Sequence, residues 1–157
     1  MSTQPITDYY EQDHHRLDEH FKEFQRLKRT NFHEARLNFR KFKVGLERHI
    51  GWEEELLFPP FEEKTGMRQG PTTVMRMEHQ QIKSLLEQMR EKLRAGNPET
   101  DAEEDALLQV LAAHNHKEEM ILYPAIDQVL SEPERQEVFA AMERTPEPAQ
   151  PQCECVA

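Results

Sequence analysis

His49 to Pro59 reads HIGWEEELLFP, and His114 to Pro124 reads HNHKEEMILYP. His49 and His114, Glu53 and Glu118, Glu54 and Glu119, Leu57 and Leu122, and Pro59 and Pro124 all stand 65 positions apart. The same offset carries Asp13–His14 onto Glu78–His79 and Leu17 onto Ile82. The chain is one unit written twice, each copy a lone histidine followed 35 positions later by His-x-x-x-Glu.

Working outward, each of the six repeated side chains sits on a stripe with helical spacing. Tyr10, His14, Leu17, Phe21 and Phe24 step by three and four, as the inward face of a packed helix does. A second stripe runs Phe32, Ala35, Phe39, Phe42, Leu46, His49, Glu53, Leu56. A third runs Met75, His79, Ile82, Leu86, Met89, Leu93, and a fourth Leu107, Leu111, His114, Glu118, Ile121. Capping-box patterns at Asp8-x-x-Glu11, Asn31-x-x-Glu34 and Thr100-x-x-Glu103 predict three helix starts, and Pro71 suits the first turn of the third helix. Pro59–Pro60 is expected to stop the second helix, Gly96-Asn97-Pro98 the third, and Pro124 to kink or end the fourth. A short helix over about 133–143 follows Ser131, and the polar, Pro-rich residues 145–157 read as a disordered tail.

These stripes predict an all-α fold, an up-down-up-down antiparallel four-helix bundle over 1–144. Residues level with one another in an antiparallel pair lie equally far from the turn between them. The midpoint of His14 and His49 falls between Asn31 and Phe32, that of His79 and His114 between Gly96 and Asn97, and that of His49 and His79 on Lys64. All are expected turns, so the four histidines share one height, with Glu53 and Glu118 roughly 6 Å further along the axis. Glutamate does not belong on a core stripe: a buried carboxylate must be protonated, paired or bound to a cation.

Bulk composition narrows the classes. Charged residues make up 32% of the 157 and the formal net charge is −10, which argues against nucleic acid or an anionic membrane as partner. No apolar run is long enough to span a bilayer, and the N-terminal MSTQPITDYYEQD lacks a leader pattern. The only cysteines, Cys153 and Cys155, lie in the tail and cannot staple a core, so a cytoplasmic location is expected.

Four imidazoles and two carboxylates suit iron, manganese or zinc. Six donors exceed the four that one zinc ion takes. Two ions bridged by the carboxylates use all six and leave positions for an oxo or hydroxo bridge and a small molecule. His15, His20, His33 and His116 lie off the stripes and are expected at the surface. Asp18, one turn after His14, is a candidate acceptor for an imidazole N–H; Glu54 and Glu119 are candidates too, but read more readily as solvated surface. Trp52, Phe58 and Tyr123 read as packing around the site.

Asp13–His14, His49-x-x-x-Glu53 with Leu57-Phe58-Pro59, Glu78–His79, and His114-x-x-x-Glu118 with Leu122-Tyr123-Pro124 together resemble the hemerythrin-like, or HHE cation-binding, family over about residues 8–130. The resemblance implies a non-haem di-iron centre with His14, His49, His79 and His114 as terminal ligands and Glu53 and Glu118 bridging. Oxygen-carrying members have a fifth histidine one turn after the third ligand helix's histidine; here that position is Lys83, so the pattern is that of the four-histidine members. That departure favours nitric oxide, peroxide or redox chemistry, or iron handling as in the family's iron-centre repair proteins, over reversible oxygen carriage. Three readings stand side by side: a module that binds or senses O2, NO or peroxide, or handles iron; a di-iron oxidase or peroxidase, or an iron-centre repair activity; and a structural metal-binding bundle.

Overall fold

The computed structural model describes residues 4–145, all of whose regular structure is helical. Helix α1 spans Ile6–Leu27 and α2 Phe32–Trp52; a five-residue π-helical turn, Glu53–Leu57, joins α2 to α3 (Phe58–Thr65). After a loop come α4 (Pro71–Arg94) and α5 (Asp101–Lys117), then a second π-helical turn, Glu118–Leu122, leading into α6 (Tyr123–Val129); α7 (Glu132–Glu143) closes the described chain. The four long helices form the expected antiparallel bundle, α1 packing along α2 and α4 along α5. Among the described residues no helix is long and apolar enough to cross a membrane. The expected disordered tail lies, from residue 146 onward and with both cysteines, outside the described residues.

Several helix ends follow from local chemistry. Asn31 accepts from the Glu34 N–H at 3.3 Å, and Ser131 and Glu134 cap α7 reciprocally. Gly66 and Gly96 take φ of 72° and 79° after α3 and α4, the left-handed conformation that favours glycine. Two expected capping boxes do not form. Helix α1 begins at Ile6, ahead of Asp8, because the carboxylate of Asp127 on α6 accepts from the Ile6 and Thr7 N–H groups at 2.7 and 3.0 Å. The Thr100 hydroxyl turns to the Glu104 carboxylate at 2.7 Å, where buried Lys28 also pairs, and leaves the backbone uncapped.

The prolines are the larger correction. Neither Pro59–Pro60 nor Pro124 stops its helix. Proline lacks an N–H and collides with the carbonyl four residues back. Here the N–H groups of Phe58 and Tyr123 reach the carbonyls five residues back, those of Glu53 and Glu118. The widened turn brings Pro59 and Pro124 into the first turn of a renewed helix, where no donor is needed. The extra residue rotates everything after it. Leu57 and Leu122 are the buried apolar residues of their turns, Leu56 is only half-buried, and Ile121, expected inside, is 62% exposed.

Two apolar clusters fill the bundle. One holds Leu17, Phe21, Phe24, Phe39, Phe42, Ile82, Leu86 and Leu111 among its members; the other, at the end where α3, α6 and α7 gather, includes Tyr10, Trp52, Leu57, Phe58, Met75, Leu122, Tyr123 and Met142. The six repeated polar side chains lie in the layer between these clusters, where burial of apolar surface on both sides fixes their helices.

Candidate metal centre

His14, His49, His79 and His114 project from α1, α2, α4 and α5, and Glu53 and Glu118 open the two π turns. All six are between 0% and 4% exposed. The structure therefore brings together the whole set that the repeat singled out. Nε2 of His14 lies 3.0 Å from Nε2 of His49 and 3.4 Å from Glu118 Oε1. Nε2 of His49 and of His79 each lie 3.4 Å from Glu53 Oε1, and Nε2 of His114 lies 3.2 Å from Glu118 Oε1. Two groups of donor atoms, from Glu53, His79, His114 and Glu118 and from His14, His49 and Glu118, each fit within 4.8 Å.

Every imidazole is held from behind. Nδ1 of His14 contacts Glu119 Oε1 at 2.9 Å, that of His49 Asp13 Oδ2 at 2.9 Å, that of His79 Glu54 Oε2 at 3.1 Å, and that of His114 Glu78 Oε1 at 2.9 Å. An ionised carboxylate only accepts, so each Nδ1 carries the donated proton and each Nε2 faces the centre. This is the carboxylate–histidine arrangement that orients metal-binding imidazoles and raises their basicity. The acceptors repeat with the histidines: Asp13 with Glu78, and Glu54 with Glu119, at the offset of 65. Asp18 is not the Nδ1 partner of His14, and Glu54 and Glu119 are partners and not free surface groups. His15, His33 and His116 are exposed and His20 half-buried, all outside the set.

The polar layer is electrostatically unfinished. Glu53 Oε1, His79 Nε2 and both carboxylate oxygens of Glu118 are buried with no hydrogen-bond partner among the described residues. Such groups are costly, and cations within the cage would satisfy all four at once. Without cations, protons take that role. Burial opposes charge on His14 and His114, but the Glu118 carboxylate 3.4 and 3.2 Å away, hydrogen bonds to Glu119 or Glu78, and the Glu53 charge outweigh it and raise them to about 10 and about 9. Burial, reinforced by the Glu118 charge, pushes Glu53 up. Burial also opposes charge on Glu118, but Glu53, His114 and His14 more than compensate and hold it low. Burial keeps His49 neutral by lowering it.

One side chain read from the sequence as packing around the site has its polar end inside the layer. The Tyr123 hydroxyl donates to Glu53 Oε2 at 2.8 Å and lies 3.2 and 3.4 Å from Nε2 of His49 and His14. Its counterpart in the repeat is Phe58, whose ring stacks parallel to His79 at 6.2 Å between centroids. The signal was available in the aligned repeats, where the two positions differ by one hydroxyl.

The donor set, all nitrogen and carboxylate oxygen, is that of a cation site, and four orphaned buried atoms give it a reason to be filled. Comparison with curated proteins and with solved structures finds no match. Residues 6–126 match the model of the hemerythrin HHE cation binding domain, and the chain belongs to that family of cation-binding helical proteins.

Proposed function

We propose that the chain binds two non-haem iron ions in its His4Glu2 cage and, so loaded, binds and senses O2, NO or peroxide in a cytoplasmic setting. The observation that carries this reading is the four-fold Nδ1-to-carboxylate support, which turns every Nε2 inward upon two carboxylates with unsatisfied oxygens. His14 with His49 would hold one ion, His79 with His114 the other, and Glu53 and Glu118 would be shared. Two ions favour iron or manganese over a single four-coordinate zinc, and iron alone of these suits all three small ligands. When bound, the irons supply reversible one-electron chemistry and open coordination positions.

The chain's own residues define what could reach those positions. The cage lies between two apolar clusters, walled by Leu57, Phe58, Leu122 and Tyr123, each completely or almost completely buried. So enclosed a site suits a diatomic molecule or peroxide better than an organic substrate, which supports binding and sensing over turnover of larger molecules. Asp13, Glu54, Glu78 and Glu119 hold the imidazoles in one tautomer and supply negative charge against the added cations.

Anaerobic Fe(II) reconstitution tests the reading. The purified protein should take up about two irons per chain and develop near-ultraviolet absorption on oxidation; NO, peroxide and O2 are then added in turn. Glu53→Ala removes a shared donor and should empty both positions, while substitution of exposed His116 should keep both. Zinc alone, or no metal, would leave a helical bundle with a polar layer and no ligand chemistry. Steady product formation from peroxide, lost in Glu53→Ala, would instead make the protein an enzyme.

A further inference from the structure

The two halves of the cage are equivalent in their donors but not in what overhangs them. On the His14–His49 side stands the Tyr123 hydroxyl, 3.2 and 3.4 Å from the two Nε2 atoms. On the His79–His114 side the corresponding ring is Phe58, with nothing to donate. The neighbours differ as well. Tyr10 packs against Tyr123 at 5.1 Å and edge-on against His49 at 5.2 Å, and its own hydroxyl is directed to Met142 of α7 at 3.4 Å. The repeat counterpart of Tyr10 is Met75. Tyr123 is thus backed by an aromatic ring that is itself tied to α7, whereas the guanidinium of Arg76 lies over the Phe58 ring at 5.3 Å.

We propose that the Tyr123 hydroxyl is the hydrogen-bond donor to a small ligand bound on the His14–His49 side, making a two-fold symmetric cage bind its ligand on one side. This rests on the two-iron reading above. The physical reason lies in satisfaction of buried groups. Tyr123 is completely buried, and its hydroxyl donates to Glu53. A cation drawn between the carboxylates competes for that same oxygen, and a buried hydroxyl deprived of its acceptor costs free energy. A ligand atom with a lone pair, seated beside the two Nε2 atoms, lies within reach of the displaced O–H. Nitrosyl, peroxide and azide all present such an atom. On the Phe58 side the same ligand would meet only a hydrocarbon edge, so the difference in affinity between sides is one charge-assisted or neutral hydrogen bond.

The test compares three reconstituted proteins: the natural chain, Tyr123→Phe, and the exchange Tyr123→Phe with Phe58→Tyr. Metal content and thermal unfolding come first. If the natural chain takes up no iron, the two-iron reading fails; the present inference is judged only on iron-loaded protein. Azide is then titrated into the oxidised proteins, with the azide stretching frequency recorded in H2O and D2O. Tyr123→Phe should keep its iron, bind azide about ten-fold more weakly and lose the isotope sensitivity of the stretch. The exchange should restore both, with the hydroxyl now on the other half. Equal affinity and equal isotope response in all three would overturn the inference. So would a visible phenolate-to-iron absorption in the natural chain that vanishes in Tyr123→Phe, because Tyr123 would then be a ligand and not a donor. Should Tyr123→Phe fail to hold iron, the isotope response of the natural and exchanged proteins decides: a D2O-sensitive azide stretch in both supports the donor role, and a stretch insensitive to D2O in either refutes it.

Discussion

Nδ1 of His14, in the first repeat, and Oε1 of Glu119, in the second, are 2.9 Å apart. The reciprocal contact joins His79 of the second repeat to Glu54 of the first at 3.1 Å. Each repeat lends the other the acid that aims one of its imidazoles. Removing such an acceptor leaves the ligand in place but free to turn. Glu119→Ala and Glu54→Ala should each lower metal affinity by about 10- to 100-fold with little change in helix content. Competition against a calibrated chelator measures the first quantity and far-ultraviolet circular dichroism the second. Unchanged affinity in both would mean that the carboxylates neutralise surface charge and nothing more.

The π turns make a prediction about neighbours in sequence. Leu122 is 2% exposed and Ile121 is 62% exposed, the reverse of what unbroken α-helical spacing requires. Leu122→Ala should cost about 2–5 kcal/mol by opening a cavity beside the cage, and Ile121→Ala should stay within about 0.5 kcal/mol. Denaturant unfolding of the two variants decides. Equal costs would show that the helix runs on without the extra residue.

Asp127 lies far from the start of α1 in sequence and caps it in space. Its two oxygens accept the Ile6 and Thr7 N–H groups and the Thr7 hydroxyl, the last at 2.7 Å. Asp127→Ala should destabilise the fold by about 1–2 kcal/mol, the usual worth of an N-terminal cap. Amide exchange should quicken at the first turn of α1 and nowhere in α4. Exchange that is unchanged at Ile6 and Thr7 would assign the lost stability elsewhere.

Proton linkage gives a fourth expectation, with its sign fixed by the raised histidines. An unfolded histidine titrates near 6.5, and folded His14 and His114 titrate at about 10 and about 9. Protons on these groups favour the metal-free fold; their contribution is complete below 6.5 and is lost as pH rises towards 9 and 10. Lowered His49 acts in the opposite sense, but its contribution is already complete above its ordinary value. The metal-free protein should therefore lose stability from pH 6.5 upward while cation affinity increases, because binding must expel those protons. Thermal melts of metal-free protein from pH 6 to 10, with calorimetric titrations in buffers of different ionisation enthalpy, test both halves. Metal-free stability that rises across that range would contradict the assignment.

The cage was legible because its six members break a strong pattern: His and Glu on stripes that are otherwise aliphatic or aromatic. Helix pairing then followed from midpoints, since antiparallel geometry converts sequence distance into height. What escaped was non-local or depended on a change of helical period. Proline at 59 and 124 reads as an end because a proline cannot continue an α-helix, and nothing nearby announces a turn of another width. Ile121 was placed inside by carrying the α-helical spacing through that turn. The acceptors Asp13 and Glu78 recur directly before His14 and His79 in the repeat, yet each reaches the other histidine of its half, His49 or His114, across a helix pair. The hydroxyl of Tyr123 looked like one more buried ring because sequence gives its chemistry but not its direction.

The exchange of acids between repeats also sets the smallest unit that can possess the centre. A fragment ending in the Gly66–Gly70 loop would keep His49 with its own Asp13, but His14 would be stranded without Glu119. The complementary fragment would keep His114 with Glu78 and strand His79 without Glu54. Neither piece is a half-strength version of the whole. The cage comes into being only when the two copies of the repeated pattern dock face to face, so it behaves as an interface within a single chain.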